Sequence, residues 1–148
     1  MKISLKRAAE KDWENVSFFE KSVSESKYYS AVTKENEVKE YIKKSHVFLI
    51  LKDNKPVGTI SYEMKDKNHA YLDGLTVHPD YQKQGIAKKS IEILMSELKG
   101  IRLITLVVHP KNTPAIVLYL KHGFYINGWK DNYFGDGEPR IEMSKENS

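Results

Sequence analysis

The 148-residue chain contains no cysteine. Disulfides, thiolate metal sites and a cysteine nucleophile are therefore excluded, and nothing in the composition points to an oxidising compartment. No segment approaches the roughly 18 uninterrupted apolar residues that a membrane span requires. The opening Met1-Lys2-Ile3-Ser4-Leu5-Lys6-Arg7 lacks the apolar run of a signal peptide, so the expected location is cytoplasmic and Asn15-Val16-Ser17 is an incidental glycosylation sequon. Charge of one sign is not massed anywhere: 24 Lys and Arg against 20 Asp and Glu give +4, with the two signs intermixed. A nucleic-acid surface needs a basic patch or stripe, so no nucleic-acid partner is expected. The five histidines, His46, His69, His78, His109 and His122, have no His-x-x-x-His spacing, and no metal is expected. Repeats, linkers and low-complexity text are also missing. By length, residues 1–148 form one domain with core enough to do without metal or disulfide staples. Whether it is a monomer or a homodimer stays open.

What is present alternates between two hydrophobic periods. Ile3, Leu5 and Arg7 begin a strand. Trp13, Val16, Phe19 and Val23 then recur at helical spacing, and a Ser-rich stretch from Ser22 to Thr33 breaks the period. A second helix carries Val38, Tyr41 and Ile42 on one face. The runs His46 to Leu51 and Val57 to Met64 flank a Lys-Asp-Asn-Lys-Pro turn as a hairpin, and a third strand follows through Val77. Ala87, Ile91, Leu94, Met95 and Leu98 form the apolar face of a helix ending near Gly100. Ile101 to Val108 reads as a buried strand. A short helix over Ile116 to Leu120 stops at Gly123, strands cover Phe124 to Trp129 and Pro139 to Ser144, and Lys145 to Ser148 is expected to be a frayed tail. The class is α/β on a mixed, mostly antiparallel sheet flanked by helices.

The most informative stretch runs from Leu75 to Lys88. An apolar strand, Leu75-Thr76-Val77, passes through Gln82-Lys83-Gln84-Gly85-Ile86-Ala87-Lys88 into a helix. Gly85 and Ala87 are small enough for close backbone approach, and the helix beginning near Ile86 offers unpaired N–H groups at its positive end, a cradle for pyrophosphate. The spacing matches neither the nucleotide-hydrolase loop nor the dinucleotide fingerprint. Taken by itself the turn reads first as an ordinary strand-to-helix connection with a convenient glycine, because short glycine motifs recur by chance.

With strand, cradle, buried strand, Asn112-Thr113-Pro114-Ala115 and Tyr119-Leu-Lys-His-Gly-Phe124 in this order, the chain resembles the Gcn5-related N-acetyltransferase (GNAT) superfamily over nearly its full length. Val57-Gly58-Thr59-Ile60 resembles that family's central hairpin, and Gln82 to Ala87 its Arg/Gln-x-x-Gly-x-Gly/Ala motif. The resemblance implies a splayed parallel strand pair holding acetyl-CoA. Leu75, Thr76 and Val77 would pair with the pantetheine arm, and the amides of Gln82, Lys83, Gln84, Gly85, Ile86, Ala87 and Lys88 would hold the pyrophosphate. Asn112 would hydrogen-bond the pantetheine, with Ala115 leaving room for it. Tyr119 stands where the family's acid tyrosine stands. Asn132-Tyr133-Phe134-Gly135-Asp136-Gly137 resembles text of the ribosomal-protein alanine and other protein N-terminal acetyltransferases, although Val107 replaces the polar residue often found five positions before the Asn.

Attack of an amine on a thioester requires a neutral amine, a polarised carbonyl and a protonated leaving thiolate. Tyr119 can supply the proton as general acid and the Val77 N–H can polarise the carbonyl. The base is open. Tyr71 occupies the position of the Glu of histone-type members, leaving Asp73 as the best carboxylate and Glu63 in reserve. Strand alternation places Tyr71, Asp73, Leu75 and Val77 on one face. Neutralising a lysine-like amine at neutral pH costs roughly 4 kcal/mol and an α-amine about 1, so a chain without an obvious strong base suits the α-amine. Tyr28, Tyr29, Tyr71 and Tyr133 are the residues expected to flank the acceptor. With no cysteine to carry an acetyl group, direct transfer in a ternary complex is expected. A small-molecule amine acceptor (a polyamine, amino acid or aminoglycoside) and a non-catalytic acyl-CoA-binding regulator are the alternatives.

Overall fold

The computed structural model describes residues 1–147. Its elements are β1 (Ile3–Arg7), α1 (Trp13–Lys21), α2 (Glu35–Lys44), β2 (His46–Lys52), β3 (Lys55–Asp66), β4 (His69–Val77), α3 (Ile86–Glu97), β5 (Leu103–Val108), α4 (Thr113–Lys121), β6 (Tyr125–Lys130) and β7 (Arg140–Glu146), with single 3-10 turns at Glu10–Asp12 and Pro79–Tyr81. The strands form one sheet in the order β1-β2-β3-β4-β5-β7-β6. Every pairing is antiparallel except β4 with β5. A parallel pair needs a crossover, and α3 supplies it.

Local chemistry explains the joints. Asp53 and Asn54 both take positive φ (49° and 69°), which two-residue hairpin loops require and Asp and Asn tolerate, so β2 turns tightly into β3. Helix α4 begins earlier than the apolar periodicity predicts. Asn112 Oδ1 accepts from the Ala115 N–H (3.4 Å) and Pro114 sits in the first turn, a capped start that periodicity does not detect.

Two apolar clusters cover the two faces of the sheet. On one, Ile60, Leu72, Val77, Ile91, Leu94, Ile104, Leu106 and Met143 pack together with Tyr119 and Phe124. On the other, Val16 and Phe19 of α1 and Val38 and Ile42 of α2 lie on Val47 and Leu49 of β2. The expectation of a frayed tail over 145–148 is corrected for 145–147. Lys145 pairs with Ile104 and Glu146 with Leu103. The Asn147 side chain donates to the carbonyls of Leu98 (3.2 Å) and Ile101 (2.7 Å). Ser148 lies outside the described residues. Among the described residues no helix is long and apolar enough to cross a membrane.

Candidate active site

The site begins with a defect in strand pairing. Ser61 of β3 pairs with Gly74 and Tyr62 with Leu72, so Asp73 of β4 is unopposed. This is a bulge, and a bulge bends the strand that carries it. Parallel pairing with β5 accordingly covers only His69↔Leu103 to Leu72↔Leu106. Past that point β5 continues beside β7 to Val108↔Ile141, and β4 beside β3 to Val77↔Gly58. The facing edges of Leu75-Thr76-Val77 and Val107-Val108 line a cleft of about 1050 Å³. The His78 N–H bonds the Val57 carbonyl at 2.9 Å. By the alternation of an antiparallel ladder, the Val77 N–H therefore points away from β3, toward the parted side.

The bulge also corrects the predicted strand faces. Tyr71 pairs with Glu63 and Asp73 bonds Ser61, so these two do share a side. Leu75 and Val77, however, pack with Ala70 and Leu72 in the opposite cluster. An extra residue in a period-two strand moves everything after it to the other face.

At the far end of the cleft, Gly85 takes φ +81° as the residue before α3, a left-handed conformation that glycine adopts without penalty. The first bond of the helix runs from the Lys89 N–H to the Gly85 carbonyl (3.1 Å), leaving the Ile86, Ala87 and Lys88 amides as the unpaired donors of its first turn. Gln82, Lys83, Gly85, Ile86, Ala87 and Lys88 all line the cleft, as do Asn112 and Ala115. Two side chains have other work. Gln82 Nε2 donates to the Val77 carbonyl at 2.9 Å, tying the turn to the strand end. Gln84 is not on the lining, because its Oε1 accepts from Lys52 Nζ at 2.8 Å.

Tyr119 lies at the junction of the two halves, 8% exposed and on the cleft wall. Burial, reinforced by the neighbouring Tyr29 hydroxyl, holds its pKa well above the ordinary tyrosine value, so the hydroxyl keeps its proton at neutral pH. Tyr28, Tyr29 and Tyr71 line the same cleft. Tyr133 does not; it borders an adjoining hollow, with its hydroxyl 3.5 Å from that of Tyr71. Asp73 is held by two serines, Ser61 Oγ donating to Oδ1 and Ser45 Oγ to Oδ2. Tyr41 Oη bonds the same Ser61. Burial raises the Asp73 pKa, with the serine bonds opposing.

Two cleft residues, Arg140 and Glu20, and one residue behind the cleft wall, His109, escaped sequence reasoning. Arg140, 1% exposed, has its guanidinium over the Phe134 ring at 5.1 Å and reaches Asp136 at 3.5 Å. His109 Nε2 lies 2.8 Å from Glu138 and its ring packs on Tyr28 at 4.7 Å, bracing the α1–α2 loop from behind. Glu20, in the last turn of α1, is 8% exposed and lines the cleft. Its pKa is raised to about 7 by burial, with the Val32 backbone hydrogen bond opposing and Asp73 adding. A signal for Glu20 existed: with Trp13, Val16 and Val23 it completes an apolar stripe at helical spacing, where a carboxylate is out of place.

A bulged strand parting from a parallel neighbour over a helix N-terminus defines the fold class of the acetyltransferases. The chain belongs to the acetyltransferase (GNAT) family, matching it over residues 8–124. It is 36% identical over 69 residues to the [ribosomal protein bS18]-alanine N-acetyltransferase of Escherichia coli (strain K12), covering 45% of this chain and 47% of that protein. The chain spans less than half the length of the curated relatives it matches. Among solved structures, the ribosomal-protein-S18-alanine N-acetyltransferase from Escherichia coli superposes with a TM-score of 0.81 at 22% identity, covering 99% of this chain and 95% of that one. The ribosomal L7/L12 α-N-protein acetyltransferase RimL, solved with coenzyme A, superposes at 0.82 with 17% identity, covering 97% and 93%.

Proposed function

We propose that the cleft binds acetyl-CoA and that the protein moves its acetyl group directly to a primary amine, with a peptide or protein α-amine the favoured acceptor. The observation that carries this reading is the parted β4–β5 pair. It leaves backbone donors and acceptors on an extended edge that ends at an open helix N-terminus, a shape and chemistry that suit an amide-containing arm terminating in pyrophosphate. The two amide-lined edges would orient the arm, the α3 amides with Lys83 and Lys88 would neutralise the phosphates, and Asn112 with Ala115 would flank the arm from α4. At the carbonyl, the Val77 N–H stabilises negative charge as it develops, and Tyr119 delivers its proton to the departing sulfur. The ribosomal-protein relatives named above support the α-amine acceptor, as does the low cost of neutralising such an amine.

Coenzyme A release measured against N-terminal peptides, lysine peptides, polyamines and aminoglycosides tests the proposal. Peptides with free α-amines are expected to be acetylated fastest. A protein that releases no coenzyme A with any of them would overturn it. Glu37, Glu40 and Glu63 also line the cleft, which favours a small polycationic amine as second reading; faster turnover of polyamines than of peptides would select it.

The turn itself has a specific test. A Cβ at Gly85 would meet no protein atom within 4 Å, so in the free protein substitution there acts through φ, and in the proposed complex a side chain would also crowd the pyrophosphate. Gly85→Val is expected to cost about 1–2 kcal/mol of stability and to raise KM for acetyl-CoA while leaving kcat close to wild type. Thermal denaturation and steady-state kinetics measure the two effects. A fall in kcat at unchanged KM would detach the turn from donor binding.

A further inference from the structure

We infer that Glu20 is the proton acceptor for the incoming ammonium group, and hence the general base of the transfer, an inference that rests on the acetyltransferase reading above. Elimination among the cleft carboxylates leads to it. Both oxygens of Asp73 already accept serine hydroxyls, which fix the carboxyl in place and oppose the rise in its pKa, making it the weaker base. Glu63 stands 3.3 Å from Lys65 Nζ and 3.9 Å from Lys44 Nζ, and Glu40 stands 3.9 Å from Lys43 Nζ, so these two face cations on the rim. Glu37 is exposed. Glu20 alone of the five is buried while opening on the cleft. It also sits in the last turn of its helix, where the backbone dipole presents negative charge and favours the protonated carboxyl.

The consequence is a base poised for neutral pH. With a pKa of about 7, Glu20 is ionised over the upper half of the physiological range and still basic enough to take a proton from an α-ammonium group. The same shift makes the carboxyl a burden on the fold. Its contribution to stability is full below the ordinary glutamate pKa and is lost as pH rises through about 7, because the folded state binds the proton more tightly than the unfolded one. A group that weakens the fold at the pH where it ionises is more readily explained by chemistry than by packing.

The proton inventory closes. The acceptor R–NH3+ gives one proton to the Glu20 carboxylate, and the freed lone pair forms the N–C bond at the thioester carbonyl. As the tetrahedral intermediate collapses, the C–S bond breaks and its electron pair leaves on sulfur, which takes the Tyr119 hydroxyl proton. The second nitrogen proton restores Tyr119, the third stays on the amide, and Glu20 releases its proton to solvent once product departs.

The experiment is the pH dependence of kcat/KM for wild type and Glu20→Gln, with an alanine-initiated peptide and spermidine as acceptor probes. Alongside it runs a direct NMR titration of the Glu20 side-chain carboxyl carbon in the wild type. Gln keeps the shape of Glu, and acetyl-CoA binding by calorimetry reports whether the variant is folded. The expected result is a wild-type kcat/KM that climbs with pH to a plateau, with the same midpoint in the NMR titration. The variant should lose that limb and about 100-fold or more of its rate while binding acetyl-CoA normally. A variant within threefold of wild type with the limb intact would overturn the role of Glu20 and leave the acetyltransferase reading standing. A Glu20 titration midpoint in the ordinary glutamate range would overturn it independently of activity. A wild type inert toward every amine would remove the function on which it rests.

Discussion

Tyr119→Phe is expected to lower turnover by about 10²- to 10⁴-fold and to leave acetyl-CoA affinity unchanged. The substitution deletes one oxygen. The ring that remains still packs edge-on against Phe124 at 5.6 Å, so the fold and the cleft wall are retained. What disappears is the only proton the ring can supply. Burial and the adjacent Tyr29 hold that proton on the oxygen at neutral pH, so in the proposed transfer the hydroxyl would meet the leaving sulfur as an acid rather than as a phenolate. Because the proton moves in the transition state and not on donor binding, kcat and kcat/KM should fall together. Coenzyme A release kinetics and calorimetry separate the two quantities, and unchanged turnover would remove Tyr119 from the chemistry.

Gly58→Ala is expected to damage the protein from the other side of the same strand pair. A Cβ at Gly58 would lie 2.1 Å from the Thr76 carbonyl oxygen and 3.1 Å from the Val77 Cα. Both obstacles are backbone, so no rotamer relieves the overlap, and β3 and β4 must separate locally. Overpacking of this kind costs about 3 kcal/mol, which corresponds to a fall of roughly 10 °C in thermal midpoint for a domain of this size. Thr76 and Val77 also form the proposed donor edge, so the protein that still folds should bind acetyl-CoA at least about tenfold more weakly, a loss of roughly 1.4 kcal/mol. Thermal denaturation and calorimetry measure both. A midpoint within two or so degrees of wild type would mean that the strands tolerate the methyl group and that their close approach is not required.

The elements of this fold were largely readable because their signals are local. The strands through Val77 alternate or run apolar between clear turns, and α1, α2 and α3 carry stripes at helical spacing. The cradle at Gly85 was legible for the same reason, since its glycine, its small Ala87 and the helix that follows lie within a few residues. The bulge at Asp73 was not, because it exists only in the register with Ser61 and Tyr62 of β3, and without it the sides taken by Leu75 and Val77 were misassigned. Glu20 was overlooked because its surroundings are set by Asp73 and Val32, distant in sequence from one or near only through a loop. The ends of β7 and α4 were misjudged for a related reason: polar residues there are ordered by partners, as when Lys145 Nζ bonds the His122 carbonyl at 2.7 Å.

The short parallel seam between β4 and β5 has a mechanical meaning. Four residue pairs join a half-sheet of four strands to one of three, so the molecule is two plates sharing a narrow weld, with the crossing helix α3 beside it. The neck itself is held by the buried side chains of Ala70, Leu72, Ile104 and Leu106, so the freedom lies in the parted edges beyond it, where, among the described residues, no backbone bonds cross. A molecule laid across the gap and bonded to both edges would act as a rivet, converting two plates that can breathe apart into one rigid body.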